Sequence, residues 1–226
     1  LWWILDPLCF MLIYVFMFGY VFKSDEQYFA IFVFIGITMW DFFNRCLLQS
    51  VRVIKSNKPI VSKVYIPKFI LVIIRMCING FKMFISFLIV AVMLIVWRVP
   101  ITWNILYCIP ILLTLFMLVF GFGCFLLHYG VFVEDLGNVL NIALRLIFYL
   151  TGVFWNIMDR LPAPYNAYIG KGNPIAFLLT SMRECLIYGQ TPHRKLLLAW
   201  FLIGLVISII GIRKIYKNEN SYVKVI

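Results

Sequence analysis

Apolar runs of bilayer length recur along this chain, and no other feature limits its folding so strongly. They fill residues 2–22, 28–48, 69–97, 105–127, 139–155 and 196–212. A helix needs roughly 20 mostly apolar residues to cross the ~30 Å hydrocarbon core of a bilayer. Lipid offers backbone amides no partners, so a spanning segment must bond them internally, as a helix does. Hydrophobic residues make up 64% of the chain and charged residues 13%, where a soluble domain has about half and a quarter. The reading is an all-α integral membrane protein: one transmembrane domain, 1–226, of six transmembrane helices. Residues 2–22 lack the short apolar core and small-residue cleavage site of a secretory signal, so they read as a span. The chain opens on Leu1, which predicts an amino-terminal piece ahead of this sequence.

Charge then orients the spans. The linker 50–68 carries Arg52, Lys55, Lys58, Lys63 and Lys68 and no acid, and the tail carries Arg213, Lys214 and Lys217. Lys and Arg collect in cytoplasmic loops, so both termini are expected in the cytoplasm. The linker with Glu134 and Asp135 is an acidic exception, although acids weigh little in this rule. The net charge of +11 is thereby read as membrane orientation, with no nucleic-acid partner. The six cysteines are scattered without a C-x-x-C pair, so they read as small apolar side chains and no metal site is expected.

Residues 156–195 break the pattern. Leu161-Pro162-Ala163-Pro164 interrupts any helix. Asn173-Pro174 is a strong helix start, with Asn as cap and Pro in the first turn. The helix it opens should stop near Gly189, is too short for a span, and carries Arg183 and Glu184. The expectation is a re-entrant or interfacial helical hairpin before the last span.

Polar residues inside spans are costly and usually face protein or water. Arg75, Asn79, Lys82 and Ser86 share one helical face of the third run, and Asn138, Asn141, Arg145 and Tyr149 one face of the fifth. Asp41 and Arg45 are spaced i,i+4 for a pair. One reading is a cationic path suited to a phosphate-bearing substrate. The other is that Arg75 or Lys82 neutralises Asp41 or snorkels to headgroups. Trp40, Tyr149, Phe154 and Trp155 offer faces for sugar rings, or serve as interfacial anchors.

Catalytic signatures are missing. There is no G-x-x-x-x-G-K-[ST] loop, G-x-S-x-G elbow or H-E-x-x-H, and His128 and His193 stand alone at span ends. Active transport by such a chain needs a partner that supplies the energy.

Three segments carry a resemblance. Residues 54–67 (IKSNKPIVSKVYIP) resemble the cytoplasmic loop of polysaccharide-exporting ATP-binding-cassette permeases, with Asn57, Ile60, Lys63, Val64, Tyr65 and Pro67 in register and Ile66 in place of the usual Phe. Val133-Glu134-Asp135-Leu136 is similar to that family's Arg-Asp element, with Glu134 where Arg is usual. Asn173-Pro174 with Arg183 and Leu186 is similar to its segment before the last span. The resemblance implies a homodimer in the bacterial inner (plasma) membrane, joined to two cytoplasmic ATPase subunits that bind ATP and Mg. It implies a coupling helix at 55–67, in which Asn57, Lys58, Ile60, Lys63, Val64, Tyr65 and Pro67 meet the ATPase. The implied cargo is a glycan, such as O-antigen or teichoic acid, on a polyprenyl pyrophosphate lipid. Arg75, Lys82 and Arg145 would then face the pyrophosphate along a path that includes Asn79, Asn141, Tyr149, Trp155 and Trp40. Asn173, Pro174, Arg183 and Glu184 would belong to an outer gate. The rivals are a type-two exporter of a drug, lipid or peptide, a membrane-embedded transferase, and a non-transporting anchoring protein.

Overall fold

The computed structural model describes residues 28–61, 63–100, 102–157, 162 and 165–225, with isolated positions in the first apolar run. That run, 2–22, therefore lies almost wholly outside the described residues. Among the described residues the elements are helices: α1 (Phe29–Ser56), α2 (Lys58–Val61), α3 (Phe69–Val96), a 3-10 turn (Trp103–Tyr107), α4 (Cys108–Phe132), α5 (Leu136–Leu150), α6 (Tyr165–Gly172), α7 (Pro174–Leu186) and α8 (Arg194–Val225). Four are long and apolar enough to cross a membrane: α1, α3, the 3-10 turn continued into α4, and α8 as far as Glu219.

α1 is the hub. It packs against α3, α4, α5 and α7, and its apolar face, including Ile31, Phe34, Ile35 and Met39, is fully buried. α8 packs along α4, and the two run parallel, pairing Gly204 with Leu118 and Gly211 with Cys124. A Cβ on Gly121 would lie 2.8 Å from Ile207 and 3.0 Å from the Ser208 backbone nitrogen. Small residues are what let two membrane helices approach this closely.

Several helix bounds differ from those expected. α1 continues eight residues beyond the apolar run that ends at 48, because Gln49, Arg52 and Lys55 are good helix formers. It stops where Asn57 turns back on Val53 through a 2.7 Å side-chain bond. At 28 residues it is about 42 Å long, so it projects past the hydrocarbon. α8 likewise extends well past 212.

The fifth helix departs most. A helix over 139–155 is expected, but α5 covers Leu136–Leu150, 15 residues or about 22 Å, short of a bilayer core. It runs antiparallel to α1: Gly137 lies beside Arg52, and the Phe148 ring meets Trp40 at 5.3 Å. The helix ends in a turn at Thr151 and Gly152, where Gly152 takes φ +67°, a conformation open to glycine and costly for most other residues. The turn is buried, so its carbonyls need partners from elsewhere in the fold.

Candidate functional site

The polar residues expected in the spans converge on α1. Three adjoining spaces line it. Thr38, Asp41, Arg45, Asn79, Lys82 and Ser86 close a narrow cleft between α1 and α3. Trp40, Asp41, Asn44, Asn141, Arg145, Phe148, Tyr149 and Phe154 line a groove of about 560 Å3 between α1 and α5. Gln49, Arg52, Ser56, Arg75, Asn138 and Asn141 line a further 460 Å3 nearer the 57–68 loop. Asp41 is shared by the first two and Asn141 by the last two, so they form one polar face. The stripes on α3 and α5 thus do come together, with α1 between them.

α1 contributes a third stripe that sequence reasoning missed: Asp41, Arg45, Gln49, Arg52 and Ser56, at steps of four, four, three and four. The spacing was visible, but it crosses residue 48, where the apolar run ends, and so was divided between a span and a linker.

Electrostatically the face is lopsided. Arg45, Arg52, Arg75, Lys82 and Arg145 line it against the single carboxylate of Asp41. Asp41 binds Arg45 on its own helix at 2.7 Å. Arg52, Arg75, Lys82 and Arg145 have no ion-pair partner among the described residues. Neutralisation of Asp41 by Arg75 or Lys82 is therefore not what the fold uses. Asn79 is occupied: its amide donates to Gln49 at 2.9 Å and to the Arg75 carbonyl at 3.0 Å. On the aromatic side Tyr149 is 70% exposed, while Trp40 is buried against Phe43 and Phe148. Trp155 is half-buried and does not line the groove.

The segment before α8 forms two short helices joined at Asn173. Asn173 Oδ1 accepts from the backbone amides of Ile175 and Ala176, and Pro174 occupies the first turn. α7 is packed into the bundle, with Ala176, Leu178, Leu179 and Met182 fully buried. Glu184 is half-buried. Arg183, 4% exposed, faces inward. It donates to the carbonyls of Phe32 (3.2 Å), Gly152 (2.9 Å) and Val153 (2.6 Å), and its guanidinium lies 3.4 Å over the Phe32 ring. Arg183 is what satisfies the buried turn after α5.

The 57–68 loop is less helical than expected. A helix over 55–67 is foreseen, but among the described residues α1 ends at Ser56 and beyond it the loop is helical over Lys58–Val61. The turn closes with Lys63 and Val64 donating to the Ile60 carbonyl, and the chain then extends to Pro67, whose carbonyl starts α3. Val61, Val64 and Ile66 are β-branched and Pro67 restricts the residue before it, which favours extended backbone. Lys58, Ile60, Lys63, Val64 and Tyr65 are exposed, Tyr65 to 74%. At its exit the Tyr65 hydroxyl donates to Glu219 of α8 at 3.2 Å, which pushes that phenol above its ordinary range. Lys68 pairs with Glu219 at 3.2 Å, their side chains only 3% and 10% exposed.

The chain is similar to two O-antigen export system permease proteins RfbA of Klebsiella pneumoniae, each 22% identical over 228 residues, covering 100% of this chain and 86% of the relative. It is also similar to an RfbA of Myxococcus xanthus, 22% identical over 207 residues, covering 92% of this chain and 80% of the relative. The family model described as "ABC-2 type transporter" matches residues 2–187. With helices of membrane length gathered around a polar face, and that match over most of its length, the chain belongs to the ABC-2 type transporter family.

Proposed function

We propose that this chain is the permease subunit of an ABC exporter that moves a lipid-linked polysaccharide from the cytoplasmic to the outer leaflet. The observation that carries this reading is the cation excess along α1, facing the aromatic groove beside α5. An anionic pyrophosphate would relieve the unpaired charge of Arg75, Lys82 and Arg145, and sugars would pass Tyr149 and Phe154. The similarity to O-antigen permeases over the full chain supports a glycan, whether O-antigen, teichoic acid or another.

The working unit is a homodimer of this chain in the bacterial inner membrane, with two ATPase subunits that bind ATP and Mg. Each protomer crosses six times with both termini cytoplasmic. α5 with its buried turn forms the fifth crossing. That turn reaches Phe32 through Arg183, about 30 Å along α1 from Arg52, which supports a complete crossing despite the short helix. α6 and α7 make the re-entrant pair, with Asn173, Pro174, Arg183 and Glu184 at the outer mouth. Asn57, Lys58, Ile60, Lys63, Val64, Tyr65 and Pro67 form the coupling surface, supported by the exposure of Ile60, Val64 and Tyr65, which are apolar or aromatic side chains costly to leave in water.

A specific observation favours a second reading. A pocket of about 380 Å3, almost wholly apolar, lies between α3, α4 and α7, lined by Phe84, Phe87, Phe116 and Met182 among others. It suits a type-two exporter of a drug or lipid. Co-purification in mild detergent tests the first reading. The ATPase subunits should accompany the native chain and be lost or uncoupled with Tyr65→Arg; native chain that brings down no ATPase would exclude an ABC exporter. Surface glycan that stays at the native level in cells lacking this chain would favour the hydrophobic cargo.

A further inference from the structure

We infer that Glu219 is a positioning residue that ties the 57–68 loop to α8, so that loop and helix move as one body when the ATPase drives the loop. The inference rests on the reading of that loop as the coupling surface.

Peptide bonds connect the loop to only two helices. It leaves α1 at Asn57 and enters α3 at Pro67, so a displacement of the loop passes directly to those two. α8 lies some 150 residues further along the chain, yet its far end reaches the same place. Glu219 accepts from the Tyr65 hydroxyl and pairs with Lys68, both at 3.2 Å. Lys68 also lies 5.2 Å from the Tyr65 ring centroid, so three side chains lock together at the loop exit. Two further contacts hold that end of α8. Tyr222, fully buried, bonds His128 of α4 at 2.7 Å, and the Tyr216 ring meets Phe69 of α3 in a tilted contact with centroids 5.8 Å apart. From there α8 runs along α4 in the close packing set by Gly121 and Gly211.

A link of this kind differs from a surface ion pair. Exposed pairs are screened and yield to the first displacement, whereas removal of one partner from a buried pair leaves an uncompensated charge. Lys68 and Glu219 are close to fully buried beside the exposed Lys63, Val64 and Tyr65. The fold therefore carries a third lever besides α1 and α3, which delivers loop motion to the α4–α8 pair.

The test uses the complete exporter, the chain with its ATPase subunits in lipid nanodiscs, and cells in which each variant is the sole copy. Glu219→Gln should leave ATPase co-purification at the native ratio and lower surface glycan about tenfold, within the range of ordinary coupling energies. The exchange Lys68→Glu with Glu219→Lys should bring it back to within about threefold of native. Lys68→Cys with Glu219→Cys, in a background free of other cysteines, should export poorly until a short bis-maleimide joins the two, and then recover. This last arm does not depend on how well Glu219→Gln folds. Native export by Glu219→Gln would overturn the inference, as would a cross-linked pair that exports less than the uncross-linked one. Loss of the ATPase with Glu219→Gln would assign the residue to docking and also overturn it. If Tyr65→Arg leaves the ATPase bound and coupled, the coupling-surface reading fails instead, and the inference falls with it.

Discussion

Around Arg183 the protein supplies three carbonyls and an aromatic face. Around Arg75, Lys82 and Arg145 the one carboxylate, Asp41, is paired with Arg45, and none of the three cations has an ion-pair partner among the described residues. Both are cations carried into an apolar bundle, where an uncompensated charge is expensive. The guanidinium of Arg183 is satisfied from three sides and holds the end of α5, the start of α1 and α7 together, so its task is structural. The groove cations line open space without an ion-pair partner among the described residues, and the proposed lipid pyrophosphate would supply one. The difference teaches that an intramembrane cation is to be judged by what remains unsatisfied after folding, not by its presence in a span.

That contrast can be broken at either end. Arg183→Gln should have the largest effect on stability, a loss of about 3–5 kcal/mol, because a buried network loses its charged centre and strands its carbonyls. Thermal unfolding of the purified chain in detergent measures it, and a melting point near native would show that the socket does not hold the fold. Gly36→Ala comes next. Its Cβ would lie 2.5 Å from Arg183 Nη2 and 2.9 Å from the Val153 carbonyl oxygen, an overpacking that should cost about 1–3 kcal/mol. If it melted like the native chain, the guanidinium would have room to shift. Asn173→Ala removes the cap of α7 and should cost about 1 kcal/mol with Arg183 still in place. Smallest in stability is Arg75→Gln with Arg145→Gln, expected within about 0.5 kcal/mol of native, as for substitutions away from packed features. Surface glycan should nevertheless fall sharply in those cells. Destabilisation comparable to that of Arg183→Gln would erase the distinction between the two regions.

Much of the candidate site was legible because helical spacing carries it. Arg75, Asn79, Lys82 and Ser86 had to share one face, and Asn173-Pro174 had to start a helix, since both follow from 3.6-residue periodicity and from cap chemistry. The α1 stripe was readable by the same rule but was hidden by a boundary drawn at the last apolar residue. The short α5 was not readable. Gly152 offers a local stop after Thr151, but a lone glycine inside an apolar run does not by itself end a helix, and the carbonyls freed there are satisfied by a side chain some thirty residues further along the chain.

By itself, then, the sequence determined a helical membrane chain, because apolar length and internal amide bonding leave a lipid-embedded segment few other choices. It also determined which faces are polar and where charge is concentrated. The tertiary structure alone decided which cations are satisfied and which keep no ion-pair partner among the described residues, and that Glu219 reaches the loop at Tyr65 and Lys68. Those outcomes depend on pairings between residues as far apart as 154 positions. Periodicity is a local property, and which residue satisfies a distant charge or carbonyl is settled only when the helices pack.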